Sequence, residues 1–401
     1  MYKGWWIVVT HFVVMFFAVG FYQYSLPLLF PAVIEHFETD AATLNMLLTV
    51  HVAVGLLVGP LAGPWVDGWS AKGLLAIGVA SFAIGVAILG LAPDVWLFVV
   101  GGGLALGVAG TLCGPMTGSA VVSRFFTASR GRALGIASIG TSAGGFVLPP
   151  LVTASAASIG WQPTVWVVAG AMVAIVLPLV LFRFWNTPED AGTEIERAPA
   201  GVGGVVDDHA AMSTREILTH RAFWLFTIPL ALFISVYTST LFNLGLHFTD
   251  RGLEAGQIAA MMSLAAASGV AGKLGFGEVA DRVPLKLAFI AAIAATAGAL
   301  VLLLVEPGVG VLYGTMALLG VSTGGLLPVW NALVPRLFGL ANFGRAMGWM
   351  GPVIALTTMS VYPAVGLVRD ATGSYAAVFQ GDLVALALAV ALVIPLQEGR
   401  A

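Results

Sequence analysis

Twelve long apolar stretches, separated by short charged or Pro/Gly-rich turns, dominate this chain of 401 residues. A helix that crosses a bilayer needs roughly 20 apolar residues. The stretches reach that length at 5–33, 43–66, 74–92, 95–123, 131–158, 163–185, 222–249, 257–280, 286–305, 308–335, 345–368 and 375–397. In hydrocarbon only helices and closed barrels satisfy every backbone polar group, and runs this long select helices. The predicted class is therefore an all-α integral membrane protein with twelve transmembrane helices. Composition agrees, with 9% charged residues against about 25% in ordinary globular domains. The first run is too long for a cleaved signal core and lacks an A-x-A site, so it reads as a retained span.

An even number of spans puts both termini on one side. With the termini cytoplasmic, the inner segments carry Lys3, Lys72, Arg124, Arg130, Arg132, Arg183, Arg197, Arg215, Arg221, Arg282, Lys286, Arg336, Arg345 and Arg400. The outer segments carry Arg251 and Arg369. The positive-inside rule favours that orientation, and the expected location is a plasma membrane, the inner membrane if the source is bacterial. The basic residue left over is Lys273, inside span eight. The one long hydrophilic segment, 186–221, is rich in Pro, Gly and acidic residues and reads as a mobile cytoplasmic linker. It separates two expected six-helix bundles, 1–185 and 222–401. Ser213 and Glu216 have capping-box spacing, which predicts a short helix leading into span seven.

The chain repeats itself. GPWVDGWSAK places Gly63, Asp67 and Lys72 between spans two and three, and GEVADRVPLK places Gly277, Asp281 and Lys286 between spans eight and nine, all at an offset of 214. At an offset of 213, Gly107, Val108 and Pro115 of span four match Gly320, Val321 and Pro328 of span ten. GRALG (Gly131–Gly135) matches GRAMG (Gly344–Gly348) at that same offset. Two six-span bundles of one orientation follow. Parallel pseudo-repeats of this kind are the architecture of major facilitator transporters.

On these residues the chain resembles the major facilitator superfamily, whose loop signature is similar to G-x-x-x-D-(x4)-K as it stands here twice. The resemblance implies that Gly63, Asp67, Lys72, Gly277, Asp281, Arg282 and Lys286 tune switching between the halves and do not bind substrate. Arg132 and Arg345, in the repeated GRA motifs, are placed with them. Gly68 stands where the second copy has Arg282, so the first copy of that charge relay is expected to be weaker. A finer resemblance lies in YKGWW, VSRFFTASRGRALGIASIGTSAGGFVLPP and LHFTDRGLEAGQIA, which are similar to the monocarboxylate transporter and oxalate–formate exchanger branch. There an arginine just before L-x-x-G-x-x-[AS]-D in span eight is implied to hold the substrate carboxylate. The matching residue here is Lys273, which keeps the charge and loses the bidentate fork.

Lys273 also stands out without any relative. A cation at the centre of a spanning helix costs about 2.5–3.5 kcal/mol on insertion scales. Eight residues separate it from Asp281, roughly 12 Å of helix, about twice the reach of its stem. Three readings are open: an anion site, structural pairing, and snorkelling toward the inner face. GVAGKL is not a phosphate loop, because Ala267 and Leu274 replace required residues and the segment lies within a span.

Transporter sites are expected near mid-membrane, between repeats. The polar side chains at such depth are Tyr22, Gln23 and Tyr24 in span one, Tyr237 and Asn243 in span seven, Trp330 and Asn331 in span ten, and Tyr362 in span eleven. Lys273, Gln23, Asn331, Tyr22, Asn243 and Trp330 form the candidate substrate set, against helix packing as the alternative for each. Among His11, His51 and His247, the last two are the proton-coupling candidates. Asp382 reads as an interfacial carboxylate near the end of span twelve, leaving no acid in the middle third of any span.

The reading is a secondary active transporter of small organic anions, monocarboxylates first, working by alternating access as proton symport or anion exchange. The alternative is a proton-coupled exporter of neutral or amphiphilic small molecules. No HExxH or G-x-S-x-G motif supports an enzyme. The single Cys113 permits neither a disulfide nor a cysteine metal cluster. No cofactor, metal or nucleic acid is expected, only the anion, protons and lipid.

Overall fold

A computed structural model describes residues 2–68, 70–126, 129–196, 212–305, 308–339 and 342–397, with the backbone alone at 60–68, 115–116, 130–131, 277–282 and 327. Among these residues twelve helices are long and apolar enough to cross a membrane. They are α1 (Gly4–Phe37), α2 (Ala41–Gly59), α3 (Ala71–Leu91), α4 (Leu97–Phe125), α5 (Arg132–Ile159) and α6 (Trp161–Arg183). After the linker come α7 (Arg221–Asp250), α8 (Ala255–Phe276), α9 (Leu285–Leu304), α10 (Val309–Phe338), α11 (Phe343–Thr372) and α12 (Ala376–Val393). The backbone of α2 stays helical to Gly68 and that of α8 to Arg282. Large apolar side chains such as Leu57, Phe182 and Val384 are more than two-thirds exposed. For a spanning helix, lipid is the solvent such a side chain meets.

Helix starts and stops follow local chemistry. Glu38 adopts a left-handed conformation (φ 49°) that ends α1, and its amide bonds to the Ile34 carbonyl. Asp40 then accepts from the Thr43 amide at 2.7 Å, capping α2. Ser70 caps α3 through the Gly73 amide, and Asp94 accepts from the amides of Trp96 and Leu97 where α4 begins. The predicted capping box is present: Ser213 accepts from the Glu216 amide while Glu216 accepts from the Ser213 amide, and a short helix, Thr214–Thr219, follows.

Proline shapes two spans. Pro27 has no N–H to donate to the Gln23 carbonyl, and just before it α1 widens into a π-helical turn over Phe21–Ser25. Pro328 likewise cannot bond the Gly324 carbonyl, and α10 is interrupted at Gly325 before restarting at Leu326. Its counterpart α4 is interrupted at Cys113 and Gly114 and restarts at Pro115.

The chain forms two compact units, Met1–Gly204 with Phe248–Ser263, and Val205–His247 with Leu264–Ala401. In the first, α1 lies against α5 with Gly140 and Gly144 meeting the carbonyls of Phe12 and Phe16, and Gly20 meeting Gly144. Beside it, Gly103 and Gly107 of α4 meet the Leu47 and His51 carbonyls of α2. In the second unit, Gly320 and Gly324 of α10 meet the Ala265 and Gly269 carbonyls of α8. Thus Gly107 and Gly320, one repeat apart, make the same contact with His51 and Ala265, also one repeat apart. Small residues let spanning helices approach this closely.

Residues 186–196 depart from the mobile linker expected of their composition. They are fastened to the first unit by polar contacts with segments far away in the chain. Asn186 accepts from the Lys72 amide (2.8 Å) and the Ser70 hydroxyl (3.2 Å). Lys3 bonds the Ala191 carbonyl, and Glu196 takes the amide and hydroxyl of Ser129. Residues 197–211 lie outside the described residues.

Candidate functional site

In the second unit α8 carries Lys273 and packs against α10. Gly272 meets the Val321 backbone and Phe276 lies over Gly325, so Lys273 sits level with the interruption of α10. It is half-buried and rotated about one residue, some 100°, from the seam. The glycine at the equivalent position of the first unit, Gly59, has open space where a side chain would begin. On α10 beyond the restart, Trp330 is half-buried with its indole N–H in a buried spot lacking a hydrogen-bond partner among the described residues, and Asn331 is exposed.

Asn243 is committed differently. Its amide donates to the Ser239 carbonyl at 2.9 Å, and its oxygen accepts from the Tyr375 hydroxyl at 3.2 Å. His247, one turn further along α7, meets the ring edges of Tyr375 and Phe379. These contacts face α7 toward the start of α12. There the structure adds what the sequence did not show: Asp382, read as an interfacial carboxylate, is buried against protein, 6% exposed, accepting from Thr240 at 3.4 Å. Sequence alone missed this because α12 is apolar nearly all round, so its pattern does not mark a buried face. A hydroxyl pair, Ser235 with Thr358 at 2.9 Å, joins α7 to α11 nearby.

In the first unit the π turn of α1 carries both Tyr22 and Gln23. Tyr22 stacks on His51 of α2, ring centroids 4.2 Å apart and planes 15° from parallel. Gly110 of α4 lies against Cε1 and Nε2 of the imidazole, so a Cβ there would lie 2.6 Å from it. His51 Nδ1 is buried and has no hydrogen-bond partner among the described residues. Gln23 is half-buried. His11 is buried against Gly118 of α4, consistent with a packed histidine.

The switch candidates fall on the connecting segments. Lys72 reaches Asn186 through its amide, and Lys286 donates to the Ile394 and Leu396 carbonyls at 3.1 and 2.9 Å. Arg132 and Arg345 are exposed, and Arg345 donates to the Met212 carbonyl. The side chains of Asp67, Asp281 and Arg282, and the surroundings of Gly63 and Gly277, lie outside the described residues. One pattern was hidden in the sequence. Ser129 and Asn342 stand one repeat apart, and each bonds a residue of the linker, Ser129 through Glu196 and Asn342 through the Met212 amide at 2.7 Å. No metal-binding cluster occurs among the described residues.

Known proteins resemble this chain along most of its length. The chain is 27% identical over 393 residues to monocarboxylate transporter 11 of Homo sapiens, covering 94% of this chain and 79% of that one. It is 25% identical to monocarboxylate transporter 13 of Bos taurus, over 94% and 85% of the two chains. A solved structure of a bacterial homologue of the human lysosomal transporter Spinster superposes with a TM-score of 0.69 at 15% identity, covering 98% and 94%. The family description "Major Facilitator Superfamily" matches residues 12–359. With twelve spanning helices, two sequence repeats and that match, the chain belongs to the major facilitator superfamily of membrane transporters.

Proposed function

We propose that this transporter carries small organic anions, monocarboxylates first, by alternating access. The observation that carries the reading is Lys273: a cation on a spanning helix, level with the point where α10 breaks and restarts. The similarity to proteins named monocarboxylate transporters supports the same substrate class. Lys273 takes the anion's charge, and Trp330 and Asn331 supply polar contacts on the same unit. Tyr22 and Gln23, in the first unit, are proposed as substrate-binding residues by their polar side chains on α1. Asn243, bonded to Tyr375, acts by holding α7 in place. His51 and His247 are the histidines proposed to follow a proton, in symport or in exchange.

The proposed frame is two bundles, 1–185 and 222–401, joined by the linker, with both termini cytoplasmic in a plasma membrane. Gly63, Asp67, Lys72, Gly277, Asp281, Arg282, Lys286, Arg132 and Arg345 serve the switch between states. The test is uptake of radiolabelled mono- and dicarboxylates into proteoliposomes by wild type, Lys273→Ala and Lys273→Arg. Losing a charge-assisted bond of about 1.5–3 kcal/mol raises KM roughly ten- to a hundredfold in Lys273→Ala. Lys273→Arg retains part of the activity. Undiminished uptake in Lys273→Ala ends the anion-site reading.

A further inference from the structure

Asp382 is a buried acid in the second unit that the anion site does not use. It sits six residues into α12, about 9 Å from the helix start, and is 6% exposed. Among the described residues its one polar partner is the Thr240 hydroxyl of α7, and no cation pairs with it. The elements around α12 offer none at that depth. From α7 the facing titratable group is His247, set against Tyr375 and Phe379. The one charged residue of α9, Lys286, bonds to carbonyls at the far end of α12. On α11, Arg369 pairs with Asp370 and Tyr362 lies against Phe242, while Arg345 at its start is bonded to Met212.

A lone buried carboxylate is expensive unless its charge is neutralised. A hard cation would want about six oxygens around it, and among the described residues the Thr240 hydroxyl is the one group bonded to Asp382. One proton needs one. A hydroxyl also suits both states of the acid, donating to the carboxylate and accepting from the carboxylic acid. We propose that Asp382, with Thr240, is a proton-binding site that couples transport to the proton gradient. The carboxylate takes H⁺ from hydronium, forming an O–H bond and releasing water, and later returns it to water with no change of oxidation state. This site rests on the anion-transport reading for its partner solute, and not for its own chemistry.

Two measurements test it, one of them independent of any substrate. Infrared difference spectra of purified wild type, titrated from acid to alkali, should show a carboxylic-acid C=O band that disappears as the pH rises and is missing in Asp382→Asn. Titrating carboxylic-acid bands that are the same in wild type and Asp382→Asn overturn the proposal, whatever the protein transports. The second is uptake of a labelled monocarboxylate into proteoliposomes under an inward proton gradient. Asn is isosteric and still accepts from Thr240, so a purely structural Asp382 predicts near-normal uptake in Asp382→Asn. The proton site predicts a fall of about a hundredfold, the lower end of what losing a proton-transferring group costs, with Asp382→Glu recovering part of the rate. Gradient-driven uptake preserved in Asp382→Asn overturns the coupling role. If wild type transports no carboxylate, the anion reading falls and the infrared titration still decides the site.

Discussion

A side chain added at one glycine of each unit probes a close contact between helices. Gly107 and Gly320 occupy equivalent places, each with a carbonyl of the neighbouring helix where a side chain would start. Overpacking of this kind costs about 1–3 kcal/mol or more. Gly107→Val and Gly320→Val should therefore each lower the thermal unfolding midpoint in detergent, whereas Gly314→Val, in open space, should leave it nearly unchanged. Equal midpoints for all three would rule out the seams. Lys273 was legible as a residue because one charge among apolar neighbours cannot be overlooked. Asp382 was visible too, yet its burial was not, since that depends on which side of α12 meets Thr240, 142 positions away.

At the scale of the element, spans were readable because hydrophobicity summed over twenty residues leaves little room for another fold. Their ends were readable where a side chain closes them locally, as in the capping box of Ser213 and Glu216. Asp40 is a similar device, its carboxyl held below the ordinary carboxylate range by bonds from the Thr43 hydroxyl and amide. Asp40→Ala should cost about 1 kcal/mol, the usual worth of an N-cap. A lowered native pKa means the cap contributes fully above the unfolded value, near 3.9, and is lost as pH falls through the lower native one. Amide exchange at Thr43 should thus be faster in Asp40→Ala at neutral pH, and the difference from wild type should vanish in strong acid. A difference that persists there would mean another group caps α2.

At the scale of the whole molecule, the repeat was legible as matching motifs at offsets of 213 and 214, and the structure extends it to contacts no motif records. Ser129 and Asn342 each bond a residue of the linker, although composition alone marks that segment as free. Its anchors, Asn186 and Glu196, bind partners 116 and 67 residues away, and such pairings leave no periodic trace. Glu196→Ala should raise amide exchange at Ser129 while leaving the amides of α12 as they are. Unaltered exchange at Ser129 would show that Glu196 does not hold it. The π turn of α1 adds a constraint on how this chain can change length. Five residues there occupy a turn that an α-helix fills with about 3.6, so Gly20 and Leu26 are offset by one residue relative to a regular helix. Removing Tyr24 would restore regular winding and rotate one half of α1 by about 100° against the other. Gly20 and Tyr22 could then keep their contacts with Gly144 and His51, or Leu26 and Leu29 their buried places, but not both. Within these five residues a deletion is a change of aim.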